Sequence, residues 1–541
     1  MKRRIAGLTA LALLAADLPA AADVLCLQDG RIFGNVNLVE GEDSVSVKFE
    51  HGTVTIPRSE VRECIIIEGT GLAPQTDEEK EMTAQGKVRF EGKWVSKKRR
   101  DQAIEKRLAE QQEEIDAMTA RREWHNRHRE ETKNFVFEST MPMHVYENYK
   151  ELFEKYYTEF AKTWKIRRPK DVDKLIVKFH VDHEKFMQVT GMGPGVGGFF
   201  RFIEPYELNI FYDRLNPDQT EEVIYHELGH YLQKLIDVDF KYPHWPGESL
   251  SEFYAASVWD PEAKKLEWGG LHDGRIVQIK SDIEKDEWVK LREQILGCQD
   301  RNFQDYSWGW SFVHYLMNHP KHAKNFKKFF LGLSGARDID RRPQQFGAKA
   351  LLKTVLGPDM LEAFMKYMKL KNDEELAEME KEWYTHIQEN LNVSTARGYV
   401  SAARIAQFTG RKVRAKRLYE DAIATGNANS RTYFLYGNLL HADKERKEAR
   451  EQWRKAIDAD PLVADYYIKL AGELIKDDEH WEEGERLLRL AFEIEPENYY
   501  LERNLEDMLR YAARKRLREK EAKEDEEKEE EAEGEDGAES S

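Results

Sequence analysis

The clearest chemical signal in this sequence is a pair of histidines with an acid between them: His226, Glu227 and His230. On an α-helix, residues four apart share a face, so the two imidazoles can bind one metal ion. Glu227 follows the first histidine, where its carboxylate can contact a metal-bound water. Zinc lowers the pKa of such a water towards ~7, and the carboxylate can accept its proton as the water attacks a carbonyl. The pattern therefore predicts a catalytic Zn²⁺ site with Glu227 as the general base.

The residues around this pattern indicate the helix that must carry it. Asn216 and Pro217 are typical of an N-cap and a first helical position, and Val223, Leu228 and Leu232 supply apolar contacts along the helix. The same short pattern also occurs by chance on surface helices, with two solvated histidines. The helix start, the apolar positions and a carboxylate further along the chain favour the metal site.

That carboxylate is Glu248, because a catalytic zinc usually has three protein ligands and one open position. Seventeen residues separate it from His230. Here the sequence resembles the gluzincins, the HExxH zinc peptidases that include thermolysin-like enzymes and aminopeptidase N. Their third ligand is a Glu on the next helix, at about this distance. Their aminopeptidase-like pattern W-x-x-E-G-x-A is followed loosely by residues 245–251, with Ser249 in place of Gly and Ser251 in place of Ala.

The resemblance also implies a role for Glu252, which lies four residues after Glu248 on the same helical face. Gluzincins often place an acid there to accept the N–H of a ligating histidine, which fixes the orientation of the ring. Glu252 could instead be the metal ligand itself. The match to the family pattern favours Glu248 as the ligand.

Gluzincins commonly use a downstream Tyr or His to stabilise the oxyanion opposite the zinc. Tyr306 is the candidate here, and His314 is an alternative; either could instead be an ordinary core residue. The glycine-rich run 191–198 could bring an edge strand close to a substrate backbone, or it could be a flexible loop. It is not a phosphate loop, because no Gly-Lys-Ser/Thr follows it.

The surrounding segments predict an α+β fold, since a group of strands is followed by helices. The strand runs cover 135–137, 175–181, 199–203 and 207–212, and helical segments continue to about residue 390. The resemblance covers about residues 135–390 and implies a zincin-like domain that hydrolyses peptide bonds. We therefore expect a gluzincin-like metallopeptidase domain over residues 135–392, with a mixed sheet and an active-site helix.

The N-terminus carries the pattern of a secretory signal peptide over residues 1–22. A basic segment and a short apolar run precede Ala20 and Ala22, which place the cleavage before Asp23. An uncleaved anchor is the alternative, but the apolar run is too short to span a bilayer comfortably. We expect an exported protein, periplasmic, extracellular or at the cell envelope, without a transmembrane segment after cleavage.

Residues 23–70 predict a small β-barrel-like domain, with short strands over 24–27, 45–49, 54–56 and 64–67 and hairpin turns at Asp29-Gly30 and His51-Gly52. Cys26 and Cys64 could pair within it, although three cysteines are too few for a disulfide framework.

The next segment, residues 71–134, is strongly charged. It predicts a helical linker, with a hairpin over 86–94 and a solvated helix from 96 to about 129.

Residues 397–510 repeat with the period of a helical hairpin. The matching positions are Ala415, Tyr419 and Ala422, then Ala449, Trp453 and Ala456, and more loosely Leu488 and Ala491. The period resembles that of tetratricopeptide repeats, which implies a surface for a protein partner. The Glu/Lys-rich residues 511–541 predict an acidic tail that is either disordered or a fraying helix.

The net charge of the chain argues against one class of function. The formal net charge of −17 argues against nucleic-acid binding, because phosphate contacts need a basic surface. The leading hypothesis is an exported zinc endopeptidase or aminopeptidase acting on peptides or proteins. The alternative is a non-catalytic interaction or envelope scaffold protein, whose repeats bind a partner and whose metal site is vestigial or structural. The intact pattern favours the enzyme, since a decayed one has little need to keep Glu227.

Overall fold

The structure is a computed structural model, and it describes residues 23–27, 32–65, 76–90, 93–214, 216–260, 263–297, 305–346, 350–393, 395–496 and 507–518. The predicted signal peptide, the Asp29-Gly30 turn and most of the predicted acidic tail lie outside these residues. Two compact units divide the chain. One comprises Met1–Thr119 and Arg450–Ser541, and the other Ala120–Ala449.

The first unit begins with a five-stranded antiparallel sheet of order β4-β3-β2-β1-β5. Its strands are Asp23–Leu27 (β1), Ile32–Glu40 (β2), Ser44–Lys48 (β3), Thr53–Pro57 (β4) and Val61–Ile65 (β5). The sequence analysis missed β2, because Gly34 and two asparagines interrupt its alternation, although Phe33, Val36 and Leu38 are buried. Cys26 and Cys64 are both free thiols on neighbouring strands.

The charged segment that follows contains more regular structure than its composition suggests. Its elements are Asp77–Ala84 (α1), the hairpin Lys87–Phe90 (β6) and Lys93–Ser96 (β7), and Lys97–Arg121 (α2). The α2 helix ends at Arg121, several residues before the predicted end near residue 129. A short 3-10 turn follows, and the chain then enters a strand of the second unit's main sheet.

The main sheet of the second unit is mixed, with strand order β11-β12-β10-β9-β8. Its strands are His128–Glu131 (β8), Phe135–Ser139 (β9), Leu175–His180 (β10), Gly198–Arg201 (β11) and Glu207–Phe211 (β12). The β9, β10 and β12 strands are parallel, while β8 and β11 are antiparallel edges. The alternating residues Leu175, Val177 and Phe179 of β10 are fully buried, because they lie on the face of this central strand that packs against the core.

Helices cover this sheet and build the core of the second unit. They are Met143–Trp164 (α3), His183–Thr190 (α4), Pro217–Lys234 (α5), His244–Ala255 (α6), Asp273–Ile283 (α7), Leu291–Leu296 (α8), Trp310–Asn318 (α9), Ala323–Gly335 (α10), Gly357–Met368 (α11) and Asp373–Asn390 (α12). Two small hairpins join them: Val258–Asp260 (β13) with Lys265–Glu267 (β14), and Arg342–Phe346 (β15) with Ala350–Thr354 (β16). The predicted α+β fold is confirmed at this level.

The α3 helix fixes the position of α5 relative to the sheet. Phe153 of α3 packs edge-on against Phe135 and Phe137 of β9. One turn further along, the Tyr156 hydroxyl donates a hydrogen bond to the carbonyl of Tyr225 on α5, at 2.9 Å. Buried aromatic side chains of α3 therefore connect the β9 strand to the α5 helix, which carries His226 and His230.

The last six labelled helices recur at a nearly constant interval. They are Ala396–Phe408 (α13), Lys412–Ala424 (α14), Ser430–Ala442 (α15), Arg446–Ala459 (α16), Ala464–Leu474 (α17) and Trp481–Ile494 (α18). All eight repeat-matching side chains named from the sequence are fully buried. Within the second unit, Thr395 donates a hydrogen bond to Asp273 at the start of α7 (2.9 Å), and Arg397 pairs with Glu222 of α5. The start of α13 therefore contacts α5 and α7.

In the part of the chain that the structure describes, no helix combines the length and the hydropathy that crossing a membrane requires.

Candidate metal centre

Two consecutive helices, α5 and α6, bring the predicted ligands together. The α5 helix begins as predicted, with Asn216 at the N-cap and Pro217 at its first position, although the Asn216 side chain bonds Gln219 instead of capping a backbone N–H. Gly229 allows the close approach of the helices, since a Cβ there would lie 3.1 Å from Oγ of Ser251 on α6. The two histidines on α5 thus face α6 at short range.

The three predicted ligands form a nearly equilateral triangle of donor atoms. Nε2 of His226 lies 3.1 Å from Nε2 of His230. Both nitrogens lie 3.3 Å from Oε2 of Glu248. The three side chains are each about one-fifth exposed or less, so one side of the triangle remains open.

This triangle has the dimensions of a zinc site. Zinc–nitrogen bonds of about 2.0–2.1 Å in a tetrahedron separate the ligand atoms by about 3.3 Å. Two imidazole nitrogens and a carboxylate oxygen at such distances also need a shared positive charge, either a proton or a metal ion. The donor set of two nitrogens and one oxygen is one that zinc takes in catalytic sites. The residues present therefore fit zinc.

Behind the triangle, Glu252 holds the first histidine. Its Oε1 lies 3.0 Å from Nδ1 of His226, the ring nitrogen that faces away from the other ligands. Arg275 of α7 donates to both oxygens of Glu252, at 2.6 and 2.9 Å, and His272 lies 3.3 Å away. Glu252 thus lies where it can orient the His226 ring, whereas Glu248 lies between the Nε2 atoms of the two histidines, as expected of a metal ligand.

His230 is oriented by uncharged side chains, Ser251 and Gln233. Oγ of Ser251 lies 3.3 Å from Nδ1 of His230. The Gln233 side chain donates to the same hydroxyl at 2.9 Å and to the carbonyl of Gly247 at 3.0 Å, which ties α5 to α6. The sequence analysis gave neither Ser251 nor Gln233 a role. Ser251 appeared only as a departure from the family pattern, although its position beside Glu252 could have suggested one.

Glu227 points towards the edge strand β11. Its Oε2 accepts a hydrogen bond of 2.9 Å from the backbone N–H of Phe200. The strand can approach so closely because position 198 is glycine: a Cβ there would meet Val223 of α5 at 2.7 Å and Ile210 at 3.0 Å. The last glycine of the run 191–198 is therefore a packing requirement.

The pKa values of the two carboxylates at this centre, Glu227 and Glu248, are shifted in opposite directions. Burial raises the pKa of Glu227, and the neighbouring His226 and His230 only partly oppose it. Burial would also raise the pKa of Glu248, but the same two histidines outweigh it and hold that pKa well below its usual range. Glu248 is thus a stable anion, as a ligand must be, whereas Glu227 can bind a proton more readily.

The two oxyanion candidates lie in different places. Tyr306 lies in a short π-helical turn, Asp305–Gly309, with its ring 6.0 Å from that of His226 and 5.3 Å from the guanidinium carbon of Arg275. Burial raises its pKa, so the hydroxyl remains a hydrogen-bond donor. His314 instead lies on α9 against His386, with 3.0 Å between ring nitrogens, and does not line the cavity at the metal ligands.

That cavity has a volume of about 530 Å³, within the size range of small-molecule and peptide sites. It is lined by the three ligands, Glu227, Tyr306 and a wall of aromatic side chains from β11 and the segment before α6. No family model matches the chain, and no similar sequence is found among curated proteins.

Proposed function

We propose that the chain is a zinc-dependent peptidase, with zinc held by His226, His230 and Glu248 and with Glu227 as the general base. The observation that carries the proposal is the triangle of donor atoms, 3.1–3.3 Å on each side, beside a second carboxylate in one cavity. A structural zinc would have all four positions filled by protein. Here three protein ligands and an accessible cavity correspond to a catalytic centre.

The residues around the metal have separable roles in this proposal. Bound zinc would supply Lewis-acid activation of a water molecule and of the substrate carbonyl. Glu227 accepts a proton from the attacking water and delivers it to the departing amine, and the Phe200 N–H holds the carboxylate in place for both transfers. Tyr306 donates a hydrogen bond to the oxygen on which negative charge develops.

The edge strand β11 supports a peptide as the substrate. The strand is paired with β12 on one side only among the described residues, and Phe199 and Phe200 line the cavity. An extended peptide can add to such an edge by backbone hydrogen bonds, which suits cleavage at many sequences. The mixed sheet with an antiparallel edge next to the HExxH helix supports a zincin-like, gluzincin-related fold for this unit.

We further propose that the regular helices after residue 396 are tetratricopeptide-like repeats that bind a protein partner. Their spacing and their fully buried small and aromatic residues support this. We also propose that the chain is exported after cleavage before Asp23, since its first residues have the composition of a signal peptide.

The decisive variant is Glu227→Gln, which keeps shape and hydrogen bonding but removes the base. We expect it to retain about one zinc per chain and to lose casein or peptide hydrolysis by roughly two to four orders of magnitude. The matched control is Glu222→Gln, the same change on the same helix at a residue that does not line the cavity. The control should hydrolyse like the wild type.

Full activity of the Gln variant, with its zinc content measured, would show that the chemistry lies elsewhere. A wild type that binds zinc but hydrolyses no peptide pool would instead favour the scaffold hypothesis, in which the repeats do the work and the metal is structural.

A further inference from the structure

The cavity beside the metal ligands contains an unusual pair of cations. Apart from Glu227 and Glu248, the only Asp, Glu, Lys or Arg side chains that line it, among the described residues, are Lys234 and Lys241. Lys234 is the last residue of α5, and Lys241 lies in the segment that leads to α6. The remaining walls are mainly apolar and aromatic, including Phe199, Phe202, Phe240, Tyr242 and Leu352.

The buried ammonium of Lys234 makes no hydrogen bond to any described residue. The residue is only 6% exposed. Asp237, Asp239 and Glu204 act on it through space without forming a hydrogen bond. A buried charge without a partner is costly, so such a group is expected where a ligand provides the missing contact.

The charge of Lys234 persists at neutral pH. Burial lowers the pKa of the ammonium to about 8, which leaves it mostly protonated near pH 7. Lys241 contributes a second positive charge: its Nζ lies 4.5 Å from the centre of the Phe202 ring, and the charge of Glu248 acts on it. Both lysines therefore add positive potential to the wall of the cavity that holds the metal ligands.

We propose that Lys234 and Lys241 form a carboxylate-binding subsite, so that the preferred substrates are peptides with a carboxylate close to the cleaved bond. The carboxylate belongs either to an Asp or Glu side chain or to a free C-terminus, and the aromatic walls pack against its aliphatic stem. This inference rests on the proposed peptidase function, because it names the substrate class of the same cavity.

Binding of matched peptides tests the inference without any need for turnover. The zinc-loaded Glu227→Gln chain is titrated calorimetrically with three short peptides that differ only at one residue and at the C-terminus. The first has Glu at that residue and an amidated C-terminus, the second has Gln and a free C-terminus, and the third has Gln and an amidated C-terminus. We expect one of the two anionic peptides to bind about ten- to a hundred-fold more tightly than the neutral one. Whichever it is identifies the source of the carboxylate.

The lysine variants then assign that preference. Lys234→Met, added to the same chain, should abolish most of the difference, and Lys241→Met should reduce it. Lys234→Met should leave the melting temperature unchanged or raise it, because it removes an unpartnered buried charge. The control is Lys185→Met, a half-buried lysine that pairs with Glu123 outside the cavity, and it should keep the full preference.

Equal binding of all three peptides, or a preference that survives Lys234→Met, would overturn the subsite, and so would the absence of binding by every peptide. These results are independent of the peptidase proposal, which depends on zinc content and on hydrolysis by the wild type. A wild type that binds carboxylates through Lys234 but hydrolyses no peptide would support the subsite and contradict the peptidase function.

Discussion

The described part of the chain contains two clusters in which at least one histidine lies within metal-binding distance of carboxylates, and the two clusters differ in almost every other respect. In the second unit, His226, His230 and Glu248 place three donor atoms 3.1–3.3 Å apart. In the first unit, His51 lies between Glu50 and Glu493, and all three donor atoms fall within 4.8 Å of one another. By donor types and proximity alone, both clusters could bind a metal.

The difference lies in what supports the donors. Nδ1 of His51 is already paired with Glu493, and its other ring nitrogen lies 4.0 Å from Glu50, whose side chain is 69% exposed. The two histidines of the second cluster instead direct Nε2 to a common point and give Nδ1 to Glu252 and Ser251. The hydrogen bonds that orient both histidine rings therefore distinguish the candidate metal centre from an ordinary surface ion pair.

The largest expected effect is on the second cluster, and the first cluster should not contribute to it. His226→Ala removes a ligand, so we expect the chain to lose bound zinc and hydrolysis together. His51→Ala should keep about one zinc per chain and full activity, because the first unit's cluster is an ion pair. Elemental analysis of both purified variants, with hydrolysis measured on the same samples, makes the comparison. Loss of zinc from His51→Ala would mean that the roles of the two clusters are wrongly assigned.

A smaller effect on zinc binding is expected from Glu252, the hydrogen-bond partner of His226. Glu252→Gln keeps the shape of a residue that is 3% exposed but removes the charge that holds His226. We expect the zinc affinity to fall about 10- to 100-fold, as for other partners of metal-binding histidines. Competition with a chelator of known affinity measures it, with Glu222→Gln as the control. A lower melting temperature with unchanged zinc affinity would show that Glu252 stabilises the fold through Arg275 and does not support the metal ligand.

The smallest effect belongs to the first cluster. Glu493→Gln removes the carboxylate that pairs with His51, a contact in which both side chains are more than one-fifth exposed. Such pairs contribute about 1 kcal/mol or less to the free energy of unfolding. Thermal unfolding should therefore change by a few degrees at most, and zinc content should not change. A measurable loss of zinc would indicate that this cluster also binds the metal.

The three residues of the candidate metal centre could be grouped from the sequence because their arrangement is mostly local. The four-residue separation of His226 and His230 fixes their common face, and Glu248 lies on the next helix of the chain. The support for Glu252 could not be found in this way. Arg275 lies on α7 and His272 directly precedes that helix, about twenty residues further on, and no local pattern marks them as partners.

Strands with broken alternation were the weakest part of the prediction. The β2 strand was missed because polar residues and a glycine obscure its buried face, and the pairing of β1 with β2 contains a register shift. The end of α2 was predicted too late, since its polar composition continues past the point at which β8 pairs with β9. Both errors arise where strand pairing between distant segments decides the local structure.

The most direct test of the central claim is zinc removal and return with hydrolysis measured in the same samples. The wild-type chain is analysed for zinc, dialysed against a chelator, and then given one equivalent of zinc. The account predicts about one zinc per chain, loss of peptide hydrolysis on removal, and recovery on return, with Glu227→Gln rebinding the metal but staying inactive. Hydrolysis that persists in zinc-free protein, or a chain that binds no zinc at all, would contradict it.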